Sequence, residues 1–209
     1  MTAGRTLMPG DWFGRGLPAG LRLGRDVYID SAYGFDGVVS DVEGCVSLGE
    51  ATGAYDRAAL LVGPAGAIEV GAYTVLNGCT LVAESRITIG NHCLIAWGAV
   101  ITDAWSGAAP VEFRRELLRD AHRHPDRWLA HGASPTPVVL GDNVWVGFDA
   151  VIMPGVTIGR GAVVSSRSVV RGDVPPYAVV AGDPVRIVRM LDPDDDEDAR
   201  RRALAECTR

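Results

Sequence analysis

From Leu140 onward the chain places an aliphatic residue at every sixth position: Leu140, Val146, Ile152, Ile158, Val164 and Val170. Four positions after each of these stands a small or β-branched residue, namely Val144, Ala150, Val156, Ala162, Ser168 and Val174. A period of six fits neither the 3.6-residue face of an amphipathic helix nor plain alternation carried through hairpin turns. It fits a chain that closes a triangular coil in about eighteen residues, with three short flat faces. The pattern therefore predicts an all-β fold: a parallel β-helix of hexapeptide repeats, in which each repeat buries its apolar side only against its neighbours.

The same period runs upstream with interruptions. Leu23, Ile29 and Phe35 are six apart, Val70, Leu76 and Val82 form a second run, and Ile89, Ile95 and Ile101 resume after one extra residue. Small loops are expected between residues 38 and 62 and around Ile68. A β-sandwich of short strands would also use the 26 glycines, but not so many repeats in one phase. The reading gives a β-helix domain over residues 23–191, an N-terminal extension over 1–22, and an acidic tail with a short C-terminal helix over 192–209.

The largest break follows Ile101-Thr102-Asp103, and the hexads return only at Val138-Val139-Leu140. The intervening loop insertion, 105–137, carries helix formers between Val111 and Ala121, with Phe113, Leu117 and Leu118 on one side. A long excursion from a repetitive scaffold is a natural place for function, because the loop can vary while the scaffold holds it.

Composition narrows the class. Hydrophobic residues make up 47% and aromatics only 7%, as suits coils that stack closely. No stretch approaches the roughly 20 apolar residues of a membrane span, and the first residues lack the apolar core of a signal peptide, so a cytoplasmic protein without a membrane partner is expected. The net charge is −6, and the acidic run over 192–198 accounts for it, leaving a body near neutrality with no footprint for nucleic acid. Cys45, Cys79, Cys93 and Cys207 lie far apart, and Cys79 and Cys93 read as small buried fillers.

The segment GDNVWVGFDAVIMPGVTIGRGAVVSSRSVVRGDVPPYAVVAGDPVRIVR resembles the C-terminal half of the hexapeptide-repeat acyltransferases, most of all their maltose, sugar and xenobiotic O-acetyltransferase branch. That resemblance implies left-handed β-helices assembled as homotrimers, with acetyl-CoA or another acyl-CoA as co-substrate in a groove between subunits. No metal is expected. It implies transfer of a short acyl group to a hydroxyl or amine of a small molecule, with sugars among the acceptors and the 105–137 excursion forming the acceptor pocket. Trp145 then matches a tryptophan near the reactive end of the coenzyme. Gly147, Ser165 and Ser166 would admit a pantetheine arm, and Arg167, Arg171 and Arg186 would offer guanidinium groups to the phosphates.

One element of the family pattern is missing. These enzymes carry a histidine at the start of the interrupting loop as general base, because an attacking alcohol must lose its proton. Here the stretch reads Ile101-Thr102-Asp103-Ala104-Trp105-Ser106. Three routes stay open: His131, the last histidine before the return to the coil, replaces it; Asp103 acts as base or orients one; or the acceptor is an amine that needs no protein base. An oxyanion donor is expected from the amide of Gly147 or a neighbour. The alternative is a trimeric scaffold or CoA-binding protein without turnover. A zinc site of the γ-carbonic anhydrase kind would need converging histidines, whereas only His92 falls within the coils and His122, His124 and His131 fall in the excursion.

Overall fold

The computed structural model describes residues 6–40, 42–104, 115, 118–119 and 134–193. Short strands recur in threes and stack into three parallel sheets, the faces of a solenoid of about six coils. The first face stacks Arg22–Leu23, Val46–Leu48, Ala67–Val70, Arg86–Ile89, Val138–Leu140 and Thr157–Ile158. The second stacks Tyr28–Ile29, Gly53–Tyr55, Val75–Asn77, Leu94–Ile95, Trp145–Val146, Val163–Val164 and Ala178–Gly182, and ends in the antiparallel strand Val185–Met190. The third stacks Ala59–Val62, Thr80–Ala83, Val100–Thr102, Val151–Ile152 and Val169–Val170. The architecture agrees with the expected left-handed β-helix. No helix among the described residues is long and apolar enough to cross a membrane.

The six-residue spacing works as the sequence suggests. Leu140, Val146, Ile152, Ile158, Val164 and Val170 all point inward at no more than 1% exposure. Their companions Val144, Ala150, Val156, Ala162, Ser168 and Val174 are buried too, because at the corners the interior has room only for a short side chain. Each inward aliphatic contributes about 1.5–3 kcal/mol of burial. Cys45, Cys79 and Cys93 are free and buried in the same core. Burial pushes the Cys79 thiol up to about 12 and the Cys93 thiol up to about 11.

Two upstream expectations shift. Val82 is only half-buried, and Leu81 fills the interior in its place, in register with Leu60 and Ile101. The corner Asn77-Gly78-Cys79 is one residue shorter than its successors, so the inward position arrives early. Leu23 is 44% exposed, because its strand is the terminal one of the first face and has a single neighbour.

The corners have their own ladder. Between the first and second faces, Asp26, Ala51, Tyr73, His92, Asn143 and Tyr177 all adopt positive φ. From Ala51 onward each of these amides reaches back one coil: His92 N–H donates to Ala72 O at 2.9 Å and Asn143 N–H to Asn91 O at 2.8 Å. Between the second and third faces the left-handed positions are Asp56, Arg57, Gly78, Gly98, Asp149 and Arg167. For a residue other than glycine this conformation costs about 1–2 kcal/mol, which the ladder offsets.

The excursion leaves and returns at the corner between the third and first faces. Val138 pairs with Ile87 and Leu140 with Ile89, so the stack continues across the gap without losing a coil. Of the helix expected there, Arg115, Leu118 and Arg119 are helical and exposed. The rest of the excursion, including His122, His124 and His131, lies outside the described residues, as does the expected C-terminal helix.

Candidate functional site

The hexads LIAWGA, WVGFDA and VVSSRS occupy one corner on consecutive coils, and their alignment builds the site. Leu94, Trp145 and Val163 lie side by side in register, with Trp145 turned outward and 49% exposed. At the next corner Trp97 stacks on Phe148, centroids 5.6 Å apart and rings 8° from parallel. The Trp97 Nε1–H donates to Asp56 Oδ2 at 2.7 Å, which fixes the indole along the corner. Beneath Asp149 sits Gly98, whose φ is +70° and where a Cβ would lie 2.1 Å from Asp149 Oδ1, so a side chain there would displace that carboxylate.

One coil further, Ser165 and Ser166 turn the same corner and Arg167 ends it. Arg167 N–H donates to Phe148 O at 2.7 Å, which ties this corner to the one on the preceding coil. Its side chain is 86% exposed and lies 3.9 Å from Asp149 Oδ2, a solvated and weak pairing that leaves the cation available. The structure thus brings Trp145, Gly147, Ser165, Ser166 and Arg167 together. Arg171 and Arg186 stand apart: Arg171 is ion-paired with Asp183, and Arg186 pairs with Ala181 in the terminal antiparallel strands.

Gly147 does something other than open the backbone to a ligand. Its N–H donates to Val164 O at 2.8 Å, so that amide belongs to the coil ladder and is not a free oxyanion donor. A Cβ there would lie 2.6 Å from Ser166 N, so the close approach that glycine allows is that of the next coil. Ala162, three residues before Ser165, is fully buried and presents nothing to a ligand.

Asp103 stands where the excursion departs. It is fully buried, and its carboxylate accepts three corner amides: Glu84 N–H at 2.7 Å on Oδ1, Ser85 N–H at 2.7 Å and Arg86 N–H at 2.6 Å on Oδ2. Its carbonyl accepts Thr136 N–H at 2.7 Å from the returning strand. The geometry gives Asp103 the duty of holding these backbone groups, with its oxygens turned to the corner and away from solvent. His92 is on the opposite corner, exposed and stacked on Tyr73 at 5.3 Å.

The Trp97–Phe148 pair and Asp56 escaped the sequence reading. Aligning the hexads by their inward aliphatics, Ile95 with Val146, would have set Trp97 directly over Phe148.

Residues 137–172 match the family model described as bacterial transferase hexapeptide (six repeats). A chloramphenicol acetyltransferase of Agrobacterium fabrum is 36% identical over 119 residues, covering 53% of this chain and 54% of that protein. The galactoside O-acetyltransferase of Escherichia coli K12 is 34% identical over 116 residues, covering 56% and 50%. The chain spans about half the length of the curated relatives it matches. Among solved structures, AntD, an N-acyltransferase from Bacillus cereus in complex with dTDP and 3-hydroxybutyryl-CoA, superposes with a TM-score of 0.61 at 18% identity. It covers 91% of this chain and 93% of that one, a likeness of fold alone. Six-residue period, solenoid and matched repeats define a hexapeptide-repeat protein. Within that class, the matched part of the chain is similar to the hexapeptide-repeat acetyltransferases.

Proposed function

We propose that this protein is a CoA-dependent acyltransferase that moves an acetyl or other short acyl group to a hydroxyl or amine of a small molecule, such as a sugar. The observation that carries the reading is the convergence of Trp145, Ser165, Ser166 and Arg167 beside the Trp97–Phe148 pair on one exposed edge. The residues fit the group: an exposed, loosely paired guanidinium suits a phosphate, the two hydroxyls suit the amides of a thin arm, and the aromatic surface suits its apolar stretches. The relatives that match are acetyltransferases, and AntD was solved with an acyl-CoA, which supports the same assignment.

When bound, acyl-CoA supplies the acyl group as an activated thioester. This chain's residues orient it: Arg167 anchors the charged end, and Trp145 with Trp97 and Phe148 excludes water from the other. Arg186 adds positive potential at the end of the stack, where Arg171 is balanced by Asp183. His131 takes the proton from an attacking hydroxyl, for which imidazole titrates in the right range, whereas an amine acceptor reacts without it. Asp103 serves as a positioning residue that fixes the corner from which the acceptor-binding excursion departs. The protein works in the cytoplasm as a homotrimer, whose adjoining subunit supplies the second wall of the groove.

Calorimetric titration with acetyl-CoA tests this. Micromolar binding near one site per chain is expected, weakened about tenfold in Arg167→Gln, the scale of one hydrogen-bonded charge. Absence of heat at several temperatures would sink the reading in favour of a scaffold.

A further inference from the structure

The first three coils carry a second feature on the same side of the solenoid. Tyr28, Asp30, Tyr55, Asp56, Val75 and Asn77 line an open concavity of about 440 Å³. Tyr28 and Tyr55 stack with centroids 4.9 Å apart and rings at 26°, and they remain 50% and 40% exposed. Two large aromatic faces therefore stay in water at the same place.

The polar lining is one-sided. One Asp30 oxygen accepts Arg57 N–H at 3.0 Å and one Asp56 oxygen accepts Trp97 Nε1–H at 2.7 Å. These bonds hold both carboxylates in place and leave the second oxygen of each without a donor. Asn77 Oδ1 is shielded from solvent and likewise has no donor. Among the described residues no arginine or lysine lines the concavity, so its surplus is of acceptors and negative charge. A ligand that completes it brings N–H donors, positive charge and an apolar body to lie on tyrosine faces, which attract cations through their π-electrons.

We propose that this concavity is a binding site for a small organic ammonium ion, its charged head between Asp30 and Asp56 and its body against Tyr28 and Tyr55. The site has the wrong sign for coenzyme phosphates, and it adjoins the Arg167 edge only through the Asp56–Trp97 hydrogen bond. Its existence does not depend on acyl transfer.

The test is ligand-observed NMR titration of the full chain at low ionic strength with 2-phenylethylammonium, and with neutral 2-phenylethanol as the same shape without charge. The cation is expected to bind in the millimolar range or tighter, and the alcohol about tenfold more weakly. Asp30→Asn with Asp56→Asn keeps an acceptor for Arg57 N–H and for the Trp97 indole while removing both charges. It should weaken the cation about tenfold and leave the alcohol unchanged, with an unaltered melting transition. Tyr55→Leu should weaken both ligands. Equal binding of cation and alcohol, unchanged binding in the double variant, or no binding of the cation at 10 mM (about the limit of such titrations) would overturn the proposal. Acetyl-CoA binding, measured on Tyr55→Leu, reports separately on the groove and is expected to stay as in the unsubstituted chain.

Discussion

The coils before and after the excursion solve one packing problem with different tolerance. After it, Leu140 pairs with Ile158, Val146 with Val164 and Ile152 with Val170, each eighteen residues apart on two- or three-residue strands. Before it, Leu48 pairs with Val70 at a distance of 22 residues and Val70 with Ile89 at 19, on strands of three or four. The inward ladder is unbroken in both, so the interior fixes side-chain size and direction while the corners absorb the spare residues. The regular half fills its corners with small residues and an exposed arginine. The irregular half uses its freedom to set Tyr28, Tyr55 and Asp56 on the surface, where a strict hexad leaves little variety.

The junction between the halves offers the largest effect. Asp103→Ala removes the acceptor from three corner amides, and a loss of about 3 kcal/mol or more in urea unfolding is expected, with Asp103→Asn losing less. A change below about 1 kcal/mol would show that the two halves do not rely on this carboxylate.

Next come the glycines that let coils touch. Gly141→Ala would bring a Cβ to 2.8 Å from Arg160 N in the regular half, and Gly90→Ala to 2.6 Å from Asp142 N in the irregular one. Both should lose about 2 kcal/mol, because overpacking against backbone has nowhere to relax. Gly172→Ala meets nothing within 4 Å and should stay within about 0.5 kcal/mol. Unequal costs at Gly90 and Gly141, read by thermal melting, would show that the two halves stack by different rules.

The smallest effect is local to the N-terminal arm. The Ala32 N–H bond holds the Asp11 carboxyl below its usual range, opposed by desolvation and assisted by Phe13 N–H and the Ser31 hydroxyl. A depressed folded pKa means that the contribution is present above the ordinary carboxylate range and is lost as pH falls through the lower folded value. Resonances of Trp12 and Phe13 should therefore hold steady down to about pH 4 and move only below it, and Asp11→Asn should abolish that acid step. Movement already near pH 6 would place the cause elsewhere.

The sequence made the fold legible wherever a position had only one tolerable side chain. Twelve inward and corner positions from Leu140 to Val174 are buried as their spacing requires. Legibility failed at Leu81, because a corner shortened by one residue leaves no mark in a fixed period until the strands are paired. At Gly147 it failed for another reason. A glycine in a repeat suits a ligand and a neighbouring coil alike, and only the 2.6 Å distance to Ser166 N distinguishes them. Arg171 and Arg167 look alike along the chain, yet Asp183 holds the first closely while the second is only loosely paired with Asp149 and stays in solvent.

The meeting of Asp103 and Thr136 has a consequence for how such a chain changes over generations. Their hydrogen bond and the resumed pairing of Val138 with Ile87 close the stack as though nothing had been inserted. Closing a loop of twice the length costs only about 0.6 kcal/mol more. Length and composition between these two anchors are therefore nearly free variables. The junction behaves as a socket, able to accept a shorter, longer or unrelated insert while the column of coils on either side keeps its register.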